Sequence, residues 1–369
     1  MVDKKEFLSV LETMAKTPAP SGMEEKRVAF CLDWFKKNGV EAYSDEAKNV
    51  IVKIGNVDGG NATAFLAHTD VVFPDLTELP YYDDGEKIHA PGIADDTVHA
   101  VQLMFIARKL VAEKVQPKHG MLIVLNSCEE GLGNLKGVKQ IMHDFEGKIK
   151  YLISVDGSYN HVVNRAVGSE RYRVTIRTEG GHSYGAFGRA NAIEKASRII
   201  CDLYDIKVPE REDTKTTYNV GQISGGTSVN TIAQSAEFLY EFRSDDSECI
   251  DIMRTAFEEV IKKHKDLGID VEVEILGIRP CGKNVNEEEL AALTKRIQKL
   301  SEEVTGIVPC KAASGSTDSN IPLSLGVSSV TMGGSIAWGA HRREEWVNKE
   351  SIFIGFELVE KTVRDFLDE

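Results

Sequence analysis

Two glutamates, Glu129 and Glu130, stand side by side shortly after the apolar residues 121–125. Neighbouring carboxylates repel each other and are costly to remove from water, so their position after a buried strand needs an explanation. Where the strand ends and the chain turns, both side chains can reach one cavity. One carboxylate can then bind a metal ion while the other stays unbound and acts as a general base. The alternative is a polar loop after a strand, without a catalytic role.

His68 and Asp70 form a second polar cluster, again at the end of a strand-like run, residues 62–67. Residues two positions apart on an extended chain face the same side. A carboxylate beside an imidazole can fix the tautomer and the orientation of a metal-bound histidine. A polar loop after a strand explains this cluster equally well when it is considered alone.

Asp95 and Asp96 form a third cluster, between a turn that contains Gly92 and the start of a predicted helix. Aspartate is common at this position because its side chain caps the first turn of a helix. A cap needs only one aspartate, so the pair favours a functional site. We expect His99, which lies within the following helix, to have a structural role.

Two later residues, Asp156 after a strand and His341 in a loop near Gly339, complete the set of candidate ligands. Imidazole nitrogens together with carboxylate oxygens suit zinc or a similar divalent ion, and they exclude a thiolate structural site. Two ions about 3.5–4 Å apart need a shared carboxylate and can position a water for hydrolysis. The residue types are therefore compatible with metal-dependent hydrolysis.

These clusters follow strands of a predicted α/β sheet, where ligand sites favour the carboxyl ends of the strands. From residue 169 the pattern changes to strands with strict apolar–polar alternation, which is typical of a compact α+β unit with antiparallel strands. The α/β pattern returns at residue 280. We therefore predict an α/β domain formed by residues 1–168 and 280–369, and an inserted α+β domain formed by residues 169–279.

The composition restricts the partners and the location. A net charge of −14 argues against nucleic acid, because phosphate binding needs a basic surface, and it disfavours anionic membranes. No uncharged apolar run reaches the roughly 18 residues of a membrane span, and we expect no signal peptide. The six cysteines are dispersed and form no CxxC pair, which indicates reduced thiols in the cytoplasm.

Eight short motifs cover nearly the whole chain, in the order HTDVV, GIADD, CEEGLG, VDGS, GGHSYGAFGRANAI, SVNTIAQSAEFLYEFRS, STDSNIPLSLG and GAHRREEWV. On these motifs the chain resembles the co-catalytic zinc exopeptidases and amidohydrolases. That family includes peptidase T, carboxypeptidase G, aminoacylase and succinyl-diaminopimelate desuccinylase. One such motif alone is a weak signal, whereas eight in the family's order make a specific match.

The resemblance implies two divalent metal ions and a role for each candidate ligand. Asp95 would bridge the two ions. His68 and Asp156 would complete one metal site, and Glu130 and His341 would complete the other. The ions are expected to be zinc, with manganese and cobalt as alternatives.

The resemblance also implies the catalytic residues of the same domain. Glu129 would be the general base that activates the bridging water. Asp70 would orient His68. The peptide bond between Asp95 and Asp96 would be cis, as it usually is in the family.

The resemblance further implies a mixed-sheet catalytic domain that is split by a lid domain, through which two copies form a homodimer. In the lid, His182 would reach the active site of the partner subunit and polarise the scissile carbonyl, although action within its own subunit stays open. Asn230 would approach the substrate from the same lid. Arg243 would bind a substrate carboxylate, which the forked guanidinium suits, and Arg279 is a second candidate. A surface charge at a strand end is the alternative reading of Arg243.

Three departures from the family's pattern affect substrate preference and leave every candidate ligand in place. Thr97 follows the aspartate pair, where the family often has lysine. Tyr184 and Phe187 make the lid motif bulkier. Arg342 and Arg343 follow the candidate ligand His341, where small or polar residues are common, so they either favour acidic substrates or face solvent.

The sequence thus predicts a metal-dependent hydrolase that cleaves amide bonds, as an exopeptidase acting on short peptides (a di- or tripeptidase, or a carboxypeptidase). The first alternative is a deacylase of N-acyl amino acids, which would use the same chemistry. A second alternative, from another class, is a non-catalytic protein that binds peptides through metal. The presence of Glu129 argues against it, because a pure binding protein needs no general base.

Overall fold

The computed structural model describes residues 2–308 and 310–369. Contacts divide the chain into two compact units, one formed by Met1–Ala166 with Gly282–Glu369 and the other by Val167–Cys281. The predicted domain boundaries lie within two residues of these limits. Within the described ranges, no helix is both long enough and apolar enough to cross a membrane.

Polar caps define where many of the helices begin. Over the described residues the chain forms nine α-helices: α1 (Lys4–Lys16), α2 (Glu25–Lys37), α3 (Val98–Ala112), α4 (Lys136–Asp144), α5 (Ala192–Tyr204), α6 (Ser247–Asp266), α7 (Glu287–Thr305), α8 (Asn320–Ser324) and α9 (Lys349–Asp365). An aspartate or asparagine side chain accepts N–H groups of the first turn in five of them, namely Asp3, Asn191, Asp246, Asn286 and Asn348. These residues satisfy donors that have no partner within the helix.

The strands, numbered along the whole chain, form two sheets in the first unit. Their bounds are β1 (Tyr43–Ser44), β2 (Val50–Ile54), β3 (Ala62–His68), β4 (Tyr82–Asp83), β5 (Lys87–His89), β6 (Met121–Asn126), β7 (Ile149–Val155), β8 (His161–Ala166), β15 (Lys311–Gly315), β16 (Ser328–Met332), β17 (Ala337–Trp338) and β18 (Trp346–Asn348). The larger sheet has eight strands in the order β1-β2-β6-β3-β7-β16-β8-β15, and the smaller has four in the order β17-β18-β5-β4.

The large sheet is mixed, as predicted, and its central strands are buried on both faces. β3 runs parallel to both β6 and β7, whereas β2 is antiparallel to β6. Phe65 and Ala67 pack into the core that includes α3, while Ala64 and Leu66 pack on the opposite face with residues of α4. Burial on both faces explains why β3 and β6 read as continuous apolar runs in the sequence.

The second unit contains an antiparallel sheet with helices on one face. Its strands are β9 (Gly168–Arg177), β10 (Gly181–His182), β11 (Thr216–Gly225), β12 (Thr231–Ile232), β13 (Ser235–Ser244) and β14 (Asp270–Arg279). Four of them pair in the order β11-β13-β9-β14, and β10 pairs with β12. Alternate residues such as Val174, Ile176 and Phe238 form a core with residues of α5 and α6. The predicted apolar–polar alternation of β9 therefore has its expected cause.

Candidate active site

The carboxyl ends of three parallel strands carry most of the candidate ligands. His68 is the last residue of β3, and Asp156 directly follows β7. β6 ends at Asn126, and the turn after it carries Glu129 and Glu130. Because β3 lies between β6 and β7 and is parallel to both, these ends meet at one edge of the sheet. This is where open α/β sheets place their ligand sites.

Asp95 lies between the two histidines of the predicted set. One of its carboxylate oxygens, Oδ1, is 3.0 Å from Nε2 of His68, and the other, Oδ2, is 3.3 Å from Nε2 of His341. Nε2 of His341 is also 3.1 Å from Oε1 of Glu130. The structure thus brings Asp95 between two groups of candidate ligands, each with one imidazole.

Four groups of three side chains among the described residues have the spacing of metal sites, and the two that contain Asp95 form overlapping triads. In the first triad, ligand atoms of His68, Asp95 and Asp156 all lie within 4.8 Å of one another, and Asp95, Glu130 and His341 form the second triad by the same measure. Asp95 is common to both. The nitrogen and oxygen donors match those that zinc and similar divalent ions prefer.

The electrostatics of the two triads are those of crowded, desolvated carboxylates. Burial and the nearby charge of Asp95 raise the pKa of Glu130 to about 8 and the pKa of Asp156 to about 7. Burial opposes the ionisation of Asp95, but hydrogen bonds with His341 and His68 lower its pKa far below the usual range. Contacts with Asp95 and Glu130 raise the pKa of His341 to about 10. Cationic partners thus stabilise the ionised form of the central carboxylate.

Asp70 contacts both His68 and the glutamate pair. Its Oδ1 is 3.5 Å from Nδ1 of His68, and its backbone carbonyl is 3.1 Å from the same nitrogen. This arrangement directs Nε2 of His68 towards Asp95. Asp70 also accepts the backbone N–H groups of Glu129 and Glu130, each at 2.9 Å. Glu129, which is only 5% exposed, therefore lies beside the candidate ligands.

The peptide bond between Asp95 and Asp96 is cis, as the resemblance implies. Asp96 is fully buried and accepts the backbone N–H of His68 at 2.8 Å, while its other oxygen contacts Nδ1 of His99. Nε2 of His99 accepts the N–H of Gly334 at 3.2 Å. Both ring nitrogens of His99 thus have partners within the protein, and burial lowers its pKa to about 3. These contacts support the structural role expected for His99.

Glu345 is a residue of this region that sequence reasoning missed. It is fully buried and accepts the backbone N–H groups of Gly92, Ala94 and Asp95 at 2.9, 2.8 and 3.0 Å. Its carboxylate therefore fixes the turn from which Asp95 projects. The only sequence signal was its position four residues after His341, which is too weak to identify it.

Arg27 and Thr97 account for one departure from the family pattern. The guanidinium of Arg27 is fully buried and donates to the carbonyl of Thr69 at 2.8 Å and to Oγ1 of Thr97 at 3.0 Å. Arg27, a cationic residue of α2, thus contacts Thr97, the position at which the family often has lysine. Burial lowers the pKa of Arg27 to about 10.

The two arginines after His341 have different surroundings. Arg343 donates two hydrogen bonds to Asp75, at 3.1 and 2.7 Å, and lies over the ring of Phe73. The guanidinium of Arg342 lies 5.3 Å from the ring centre of Trp338. The guanidinium of Arg343 therefore already forms an ion pair with a side chain of this protein.

In the second unit, the structure brings His182 and Asn230 together. His182 pairs with Thr231 across the short sheet of β10 and β12, next to Asn230, whose carbonyl accepts the N–H of Ser183 at 3.0 Å. Nδ1 of His182 accepts the N–H groups of Tyr184 and Gly185, both at 3.3 Å. The neutral ring therefore carries its proton on Nε2.

Arg243 and Arg279 lie in one row across the sheet of the second unit. Both stand opposite Ser169 of β9, one on β13 and the other on β14, so the three side chains share a face. Glu241 accepts from Arg243 at 3.0 and 3.1 Å and also pairs with Arg171 at 3.3 Å. The buried hydroxyl of Ser169 has no hydrogen-bond partner among the described residues.

Comparison with known proteins gives one family. A model described as peptidase family M20/M25/M40 matches residues 64–365. A succinyl-diaminopimelate desuccinylase from Thiobacillus denitrificans is 24% identical over 328 residues, which cover 83% of this chain and 80% of the relative. The family predicted from the eight motifs is therefore confirmed.

Solved structures share the fold over the whole chain. A tripeptidase from Staphylococcus aureus has a TM-score of 0.78 at 19% sequence identity, with coverage of 100% of this chain and 99% of that chain. A dinuclear metal-binding peptidase of the M20 family from Bacillus subtilis has a TM-score of 0.67 at 14% identity, with coverage of 99% and 98%. At these identities the match establishes the fold alone.

Proposed function

The chain is a hydrolytic enzyme of peptidase family M20/M25/M40, and from this premise we propose that it is an exopeptidase acting on short peptides. The observation that carries the hydrolytic chemistry of this proposal is the position of Asp95, with one oxygen 3.0 Å from His68 and the other 3.3 Å from His341. A carboxylate with its two oxygens directed this way can bridge two divalent ions.

We propose that His68 and Asp156 hold one ion with Asp95, and that Glu130 and His341 hold the other. The nitrogen and oxygen donors support this assignment, as do the carboxylates crowded among them, and zinc is the proposed metal with manganese or cobalt as alternatives. The chemistry that two such ions supply is activation of water and polarisation of a carbonyl group.

Glu129 is the proposed general base. Its carboxylate takes the proton of the attacking water and then delivers it to the nitrogen of the leaving amine. Two features support this role: Glu129 adjoins the proposed ligand Glu130, and its backbone N–H is fixed by Asp70 at 2.9 Å. Asp70 would thus position both the proposed general base, Glu129, and His68.

His182 is the proposed donor to the oxygen of the scissile carbonyl. Because its Nδ1 accepts two backbone N–H groups, the ring proton lies on Nε2 and can be donated to the charge that develops on that oxygen. We propose that it acts in the partner subunit of a homodimer formed through the second unit. The ten-residue edge strand β11 supports such a dimer, since an edge strand offers backbone groups for pairing.

Arg243 and Arg279 are proposed to bind a carboxylate of the substrate, with Asn230 as a further contact. The row formed by Arg243, Ser169 and Arg279 supports this role, because it combines two guanidinium groups with a buried hydroxyl for which the described part of the chain offers no hydrogen-bond partner. Guanidinium forks suit carboxylates. A peptide with a free carboxyl terminus is the substrate that fits this chemistry.

A deacylase of N-acyl amino acids is the second candidate, favoured by the 24% identity to a desuccinylase. The same metal ligands and general base would serve it, and only the acyl group would differ. The alternative of a non-catalytic binding protein is not retained, because the family is one of hydrolytic enzymes. We propose a cytoplasmic location, which the six free cysteines support.

A product screen by mass spectrometry tests the proposal. The purified chain, supplied with zinc or manganese, is incubated with di- and tripeptides and with N-acyl amino acids, with and without a chelator. We expect chelator-sensitive release of a terminal amino acid from the peptides. Release from the acylated amino acids alone would establish the second candidate instead, and the Glu129→Gln variant serves as the inactive control.

A further inference from the structure

Three consecutive backbone N–H groups, those of Cys128, Glu129 and Glu130, are held by two buried carboxylates. Asp70 accepts the second and third, each at 2.9 Å. Oε1 of Glu24 accepts the first at 3.2 Å and lies 3.3 Å from the thiol sulfur of the same cysteine. The turn that carries the proposed general base is therefore fixed at three successive positions by side chains from distant segments.

This turn has a conformation that its own residues do not favour. Cys128 has a φ of 55°, in the left-handed region that is unfavourable for a residue with a Cβ atom. Its carbonyl accepts the N–H of Leu135 at 2.9 Å, so the backbone on both sides of the residue is engaged. Contacts from elsewhere in the fold must therefore stabilise the turn.

Glu24 is placed to supply such a contact. It stands directly before α2, yet its side chain makes no capping hydrogen bond to that helix. The carboxylate is fully buried, and besides Cys128 its Oε1 accepts the N–H of Gly22 at 2.7 Å. Nζ of Lys48 lies 3.8 Å from Oε2. A buried carboxylate is costly unless it is hydrogen-bonded, so the turn and Glu24 stabilise each other.

The same short segment, residues 21–24, also reaches the second carboxylate. Oγ of Ser21 donates to Oδ2 of Asp70 at 2.6 Å. This is the oxygen that accepts the N–H of Glu130. The segment thus contacts the turn directly, through Glu24. It also contacts the turn indirectly, because Ser21 donates a hydrogen bond to Asp70, which in turn accepts from the turn.

We propose that Glu24 is a positioning residue for the general base, and that Ser21 supports it through Asp70. By fixing the N–H of Cys128, Glu24 sets the direction in which Glu129 leaves the turn. This inference rests on the proposed role of Glu129. A general base must lie within hydrogen-bond reach of the proton it takes, and a misplacement of about 1 Å can lower the rate by about 10²-fold.

Amide hydrogen exchange, read by mass spectrometry on a peptide covering residues 126–133, tests the positioning directly and without turnover. In Glu24→Ala we expect exchange in this peptide to be about tenfold faster, as for the loss of one hydrogen bond to a charged group. Glu24→Gln keeps an oxygen acceptor and should remain close to wild type. Glu41→Ala, which changes an exposed glutamate outside this cluster, is the control and should leave the peptide unchanged.

Kinetics on a peptide that the wild type cleaves provide the second readout. In Glu24→Ala we expect kcat to fall by about 10- to 100-fold with KM within about threefold and metal content unchanged. Glu24→Gln should restore most of kcat. A purely structural role would instead lower the melting temperature and the folded fraction, while kcat per folded, metal-loaded chain stayed at the wild-type value.

Two results would overturn the inference. One is wild-type exchange in the 126–133 peptide of Glu24→Ala, and the other is a wild-type kcat per folded chain in that variant. These results leave the proposed function intact if the wild type releases amino acids. If the wild type shows no hydrolysis, the proposed function and its positioning residue fail together, even where the exchange result is as expected.

Discussion

The polar residues around the glutamate pair of the first unit are buried and multiply bonded, whereas the His182 motif of the second unit is largely exposed. Asp70, Glu129 and Glu130 are 0%, 5% and 5% exposed, and the backbone around them is fixed by hydrogen bonds. In the second unit, Tyr184 and Phe187, which flank the His182 motif, are each 90% exposed. A buried and rigid cluster suits bond cleavage, which needs fixed geometry. An exposed set of side chains suits contacts that form only when substrate or a second copy arrives.

The largest effect should come from Asp95→Ala, which removes the residue common to both triads of the first unit. We expect the loss of both ions, because neither triad keeps three ligands, and the loss of activity to the limit of detection. Elemental analysis of the metal by mass spectrometry checks this, with Asp84→Ala as an exposed control. Wild-type metal content in Asp95→Ala would rule out the bridging role.

Glu129→Gln should come next, because it removes the proposed general base and keeps the shape of the side chain. We expect kcat to fall by about 10²- to 10⁴-fold while metal content stays at the wild-type level. Steady-state kinetics together with metal analysis measure both. An equally active variant would show that another group takes the proton.

His182→Ala tests whether the second unit contributes to chemistry as well as to binding. We expect turnover to fall by about 10²- to 10³-fold, as for the loss of one oxyanion donor, with metal content unchanged. His143→Ala, which removes an exposed histidine of α4, is the control. Unchanged turnover would show that His182 takes no part in bond cleavage. The residues that act in the reaction would then lie in the first unit.

The smallest effect should come from Arg243→Ala in the second unit. We expect KM to rise by about tenfold for peptides with a free carboxylate, as for one lost charge-assisted hydrogen bond, and to change little for amidated peptides. Arg177→Ala, on the same strand as Ser169 but eight residues further along, is the control. An equal effect on both kinds of peptide would make Arg243 a structural residue.

The sequence was sufficient to predict the mixed sheet, the family and the strand ends that carry the candidate ligands. Strand ends can be predicted from the sequence because apolar runs such as residues 121–125 end at polar residues. The residues that position those candidate ligands could not be predicted from the sequence. Glu345 and Ala94 are in contact although they lie 251 positions apart in the sequence, and Glu24 and Cys128 although they lie 104 positions apart. A pattern among neighbouring residues does not predict a contact over such a separation.

The tautomer of His182 likewise needed the structure. The motif identifies the histidine, but the proton position depends on the N–H groups of Tyr184 and Gly185, which turn back towards its ring. The two arginines after His341 were ambiguous in the sequence for a similar reason. The contact of Arg343 with Asp75, 268 positions away, distinguishes it from Arg342.

The most direct test of the account is the number of metal ions that the wild-type chain binds. The chain is stripped with a chelator, dialysed, titrated with zinc and weighed by native mass spectrometry. We predict that the mass rises by two zinc ions per chain, because two triads share Asp95. Saturation at one ion, or binding of two ions that persists in Asp95→Ala, would contradict the bridged centre on which the proposed chemistry depends.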